Sequence, residues 1–171
     1  MSTWIVDRYA PIGLWGRLLS PEQRRHAAMK LADFVIKKTN VEEIQYIDEL
    51  LADPTIVDSE KKRLFNALAE KTDTHYFDLE DAGDPEYITY FLRAKAISSM
   101  EHALSADDFE TFANCLSEAL VAMVPDVLEF DQASLDSVPT GLDRLGEVAV
   151  ELGLAEKNPL KAGVVEVQKN E

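Results

Sequence analysis

The sequence predicts an all-α bundle of six to seven helices, and three observations predict it. Apolar residues recur at three- and four-residue spacing along most of the chain. Ser, Thr, Asn and Asp stand repeatedly where helix N-caps belong. Sustained period-2 alternation is absent, apart from a weak pattern at 163–168 that could form a short strand or an ordered arm. With 171 residues, 46% of them hydrophobic, the chain can build a sizeable core. It reads as a single domain, 1–171, with an N-terminal arm (1–19), a helical body and a C-terminal tail (158–171).

Ser20 is placed as an N-cap, Pro21 opens the first turn and Gln23 completes a capping box. Ala28, Leu31, Phe34, Val35 and Lys38 continue a helical stripe, giving a helix over 21–38. Asn40, with Glu43 three residues on, is the expected cap of a second helix. Its buried face is Ile44, Ile47, Leu50 and Leu51, and Asp53-Pro54 ends it. A third helix is expected over 59–71, with Leu64, Phe65 and Leu68 inward and Lys61, Lys62 and Arg63 in solvent. Residues 72–84 read as a polar loop, and Asp84-Pro85 starts a helix to about 104. Tyr87, Ile88, Phe91, Leu92, Ile97 and Met100 cover much of its circumference, so it is expected to be central and largely buried. Ser105 is the expected next cap, with Asp108 in the capping-box slot and Phe109, Phe112, Leu116, Leu120 and Met123 inward. Pro125 should open a short helix to about 136, and Thr140 should precede a last one over about 141–156.

An offset of 85 residues superposes Leu19-Ser20 on Leu104-Ser105, Ala28 on Ala113, Leu31 on Leu116, Leu50 on Leu135 and Pro54-Thr55 on Pro139-Thr140. Two readings are open: a duplicated three-helix unit (19–71 and 104–157) around the central helix, or the chance sharing of Leu and Ala between helical segments.

The charge is uneven. The net is −15 overall, yet residues 1–40 hold seven Lys/Arg against three Asp/Glu. From Ala96 to Asp143 there is no Lys or Arg but ten carboxylates: Glu101, Asp107, Asp108, Glu110, Glu118, Asp126, Glu129, Asp131, Asp136 and Asp143. Such self-repelling charge costs stability, and a positively charged partner is the simplest use for it. A generic solubilising surface explains the same composition. The sign argues against direct nucleic-acid binding, since phosphates require cations. No stretch approaches the length of a membrane span. The N-terminus shows no signal-peptide pattern, and Cys115 is the single cysteine; a reducing, cytoplasmic location is expected.

Recognisable chemistry is sparse, and neither a cofactor nor a metal is expected. His26, His75 and His102 have no His or Cys three or four residues away. The stretch from Asp73 to Asp84 is rich in oxygen ligands. Counted as a calcium loop from Asp78, however, it puts Ala82 at position five and Thr89 at position twelve. Cys115, among apolar neighbours, reads as structural. Nucleophile-elbow and phosphate-loop motifs are absent.

The leading expectation is a non-catalytic protein-binding module for a basic protein partner, using Glu101, Asp107, Asp108, Glu110, Glu118, Asp126 and Glu129, several of them on the polar side of one helix. In being small, acidic and helical, the chain resembles bacterial inhibitor or immunity proteins, which neutralise a basic toxin or enzyme. An alternative is a scaffold acting as a homodimer through Trp4, Arg8, Tyr9, Trp15 and Arg17, residues of the kind that dominate interfaces. The same side chains fit an arm packed across the core. A third reading is an enzyme with a dispersed site at His75 or His102.

Overall fold

The structure, a computed structural model, describes residues 10–123 and 132–161, with the backbone alone over 132–139. Among these residues it is all-helical, with seven helices packed as a bundle. They are α1 (Ala10–Leu18), α2 (Pro21–Lys38), α3 (Ile44–Ala52), α4 (Asp58–Asp81), α5 (Tyr87–Ala103), α6 (Phe109–Met123) and α7 (Gln132–Glu151). One hydrophobic cluster draws on all seven, from Ile12 and Trp15 in α1 to Leu145 and Ala149 in α7. The expected tail begins docked, because Leu160 is fully buried in the same cluster.

α2 forms as expected. Ser20 Oγ accepts from Gln23 N at 3.2 Å and Gln23 Oε1 accepts from Ser20 N at 2.9 Å, closing the capping box around Pro21. Ala27, Ala28, Leu31, Ala32, Val35 and Ile36 form its buried stripe. The small alanines let α5 and α6 approach closely. Asn40 does not cap α3; its φ of 53° is the left-handed turn that ends α2, and Glu43 holds the cap position without a side-chain bond. Asp53 then stops α3 with an Asx turn, accepting from Thr55 N at 2.8 Å.

The expected loop at 72–84 is largely helix, since α4 runs unbroken to Asp81. Thr72 and Thr74 satisfy their hydroxyls on the carbonyls of Leu68 and Glu70, so neither competes with the helix. Gly83, at φ +71°, marks the true end. The bonds Asp84 N to Leu79 O (2.9 Å) and Gly83 N to Glu80 O (3.0 Å) close a Schellman cap. Of the three cations expected in solvent, only Arg63 is exposed, and it pairs with Glu60 at 2.6 Å. Lys61 is buried and donates to Leu51 O at 3.0 Å, and Lys62 donates to Ser105 Oγ at 2.7 Å.

α5 packs against α2, α4 and α6, and in that sense it is central. Its burial is uneven, however: Ala96, Ile97, Met100 and Ala103 are fully enclosed, while Tyr87, Phe91 and Leu92 are only half-buried and Ile88 is exposed. The next cap is Asp108 and not Ser105; Asp108 Oδ1 accepts from Thr111 N at 2.8 Å. α7 is continuous through Pro139 and Thr140, where a break was expected. The helix break at Asp53-Pro54 therefore has no counterpart 85 residues later. The expected start of a helix at Pro125 and the pattern at 163–168 lie outside the described residues.

Candidate protein-binding surfaces

α6 carries the middle of the cation-free run, and it is largely enclosed. Nine of its fifteen residues are buried, which leaves only a narrow strip for charge. Cys115 lies in the buried part with Sγ 3.7 Å from Ala28 O, and burial pushes its thiol pKa far up. The sequence-predicted carboxylates divide accordingly. Asp107, Asp108 and Glu110 sit together, exposed, at the start of α6. Backbone N–H donation from Thr111 holds the Asp108 carboxyl below the usual range. Glu118, two turns further along α6, does not join them; it is half-buried and lies 3.3 Å from Lys95 Nζ of α5. Glu101 lies on α5, where Asn66 Nδ2 donates to it at 3.0 Å. Asp126 and Glu129 lie outside the described residues.

Arg24 reaches this region from α2, but its three bonds go to carbonyl oxygens. Nε donates to Asp107 O at 2.7 Å, and Nη1 donates to Gly16 O at 3.1 Å and Leu19 O at 2.9 Å. The guanidinium thus ties α1, α2 and the α5–α6 turn together.

The residues considered for self-association also divide. Trp15 is buried, edge-on to Phe112 with ring centroids 5.6 Å apart, so the packing alternative holds for it. Arg17 is exposed and lies over the Phe109 ring at 5.1 Å. Trp4, Arg8 and Tyr9 lie outside the described residues.

The outer end of the α4–α5 hairpin, which overlaps the residues expected as a polar loop, is a second stretch without Lys or Arg. Residues 72–92 hold Asp73, Asp78, Glu80, Asp81, Asp84 and Glu86, with no Lys or Arg. Tyr76 is its pivot, packing on Phe77 (4.7 Å), Phe91 (5.1 Å) and Tyr87 (6.0 Å). Its hydroxyl pKa is raised to about 12, first by the hydrogen bond to Glu80 and then by burial. The signal was readable: Leu68, Thr72, Tyr76 and Leu79 continue the helical spacing of α4, and Gly83 supplies its C-terminal signal.

On the other side of α5, Glu42, Glu43, Lys71, Thr72, His75, Tyr90 and Arg93 line a cleft of about 200 Å³. Glu42 Oε1 accepts from Tyr90 Oη at 2.8 Å and from Arg93 Nη1 at 3.1 Å, and Arg93 Nε donates to Thr39 O at 3.2 Å. The hydroxyl of Tyr90 comes first among the causes that hold Glu42 below the usual carboxylate range. His75 meets the Tyr90 ring edge-on at 4.2 Å. The network seals the α2–α3 turn against α5 and has its own charges matched. Among the described residues there is no group of three or more His, Cys, Asp and Glu that could hold a metal ion, and no helix is long and apolar enough to cross a membrane.

No protein-family model, curated protein or solved structure matches this chain.

Proposed function

We propose that the protein is a non-catalytic binding module that engages a basic protein partner through exposed carboxylates. The observation that carries this reading is the distribution of charge about α5. Asp107, Asp108 and Glu110 are exposed beyond its C-terminal end. Asp78, Glu80, Asp81 and Glu86 are exposed beside its N-terminal end. Arg24 donates to carbonyls, Arg93 pairs with Glu42 and donates to Thr39, and Lys95 lies against Glu118, while Arg17 lies over the Phe109 ring at the first of these ends. Two anionic ends on one rigid bundle raise the local concentration of a cationic partner and speed its docking.

The test is stopped-flow association with a lysine-rich peptide at rising salt. Two variants are compared with the natural chain: D107S/D108S/E110S, in which Ser preserves the α6 cap, and D78N/D81N. Each should slow association several-fold at low salt and flatten its salt dependence. Rates in both variants equal to the wild-type rate would overturn the reading.

A further inference from the structure

Glu70, Asp73, Phe77, Glu80 and Asp81 follow one another on α4 at intervals of three, four, three and one, so they share one side of the helix. In the middle of that side, Phe77 is 57% exposed. Its ring leads through Tyr76 to Tyr87 and Phe91 on α5, making an aromatic strip across the hairpin with a wet outer edge. Asp73, on the inner border of the strip, is half-buried, and that burial pushes its carboxyl up against the opposing Lys95. An isolated exposed apolar side chain needs no explanation. An exposed ring continuous with three others and bordered by carboxylates has the composition of an interface: aromatic anchors with a charged rim.

We propose that this face of the hairpin docks an amphipathic cationic helix of the partner, which lays apolar side chains over Phe77 and Tyr76 and sets Lys or Arg against Glu70, Asp73, Glu80 and Asp81. Charge complementarity selects this occupant. The absence of any cation over 72–92 disfavours a nucleic acid or an anionic membrane, and the apolar strip disfavours a purely hydrophilic basic tail. The mode is that of a helix recognised through spaced apolar anchors. The proposal rests on the reading that the partner is basic, and adds where it binds and what it must look like.

Two peptides of equal composition, each of about five helical turns, separate the two claims. One carries Leu on one face and Lys on the other; its scrambled counterpart has no apolar face. Binding to the full chain is read by fluorescence anisotropy. The amphipathic peptide should bind more tightly than the scrambled one. Phe77→Ala should weaken it about tenfold while leaving the scrambled peptide and the unfolding midpoint unchanged. Unaltered binding to Phe77→Ala, with a loss in D107S/D108S/E110S, would overturn the hairpin surface and leave the basic-partner reading standing. Failure of both peptides to bind would overturn both. Wild-type self-association that Phe77→Ala abolishes and the amphipathic peptide does not compete would assign the surface to a second copy, and would also overturn the proposal.

Discussion

The stretches 72–92 and 96–143 both lack Lys and Arg, but the bundle uses them differently. The second contains α6, which is mostly enclosed by α1, α2, α5 and α7; its apolar residues form core, and its exposed acids gather at the start of the helix. The first forms the outer end of α4 and α5, where Tyr76 packs on Phe77, Tyr87 and Phe91, Lys95 lies over the Phe91 ring at 5.4 Å, and Phe77 is left exposed. A run of unbalanced charge in sequence is thus not itself a face. The position of the helix under it decides whether its aromatic residues hold the fold together or remain available to something else.

That difference is testable by removing one aromatic ring from each region. Phe112 is fully buried against Trp15, and Phe112→Ala should cost about 3–5 kcal/mol in urea unfolding. Phe77→Ala should change stability by less than about 0.5 kcal/mol. Similar losses at the two sites would erase the distinction. A smaller effect sharpens it at the start of α6. Asp108→Ala should cost about 1 kcal/mol, whereas Asp108→Ser, which keeps an acceptor for the Thr111 N–H, should cost only a fraction of that. Equal losses would mean that the carboxylate charge, rather than the cap, is what matters there.

The smallest effect is at Tyr76. Folding raises its pKa from 10.0 to about 12, so between these values the folded chain keeps a proton that the unfolded chain has released. Stability should therefore fall as pH rises through that window. In an absorbance titration, Tyr76→Phe should remove the tyrosinate that appears at about pH 12, and Glu80→Ala should move that step downward. A Tyr76 that ionises at 10.0 in the natural chain would contradict the hydrogen bond.

The sequence made the helical class legible because caps and apolar spacing are local. Ser20, Pro21 and Gln23 determine the start of α2 with no help from the rest of the chain. The misreadings have a shared cause: polar residues whose partners lie far away in sequence. Lys61 reads as surface until Leu51 O reaches its ammonium. Residues 72–81 read as loop because threonines, acids and His75 hide a spacing that only α5 makes use of. Glu118 reads as part of an anionic face until Lys95, on a different helix, takes it up. Phe77 shows its exposure only once 72–81 is known to be helix, because its spacing from Glu70, Asp73, Glu80 and Asp81 then sets it on the acidic side of α4.

In the proposed complex the cationic helix docks on the outer end of the α4–α5 hairpin, and the acids at the start of α6 act only on its approach. The most direct measurement is the map of backbone amide chemical shifts in the full chain as the amphipathic Lys/Leu peptide is added. The shifts should concentrate in 70–91, on the α4–α5 hairpin, and fade in Phe77→Ala. Shifts centred on residues 107–123, or spread evenly over the acidic surface, would contradict that docking.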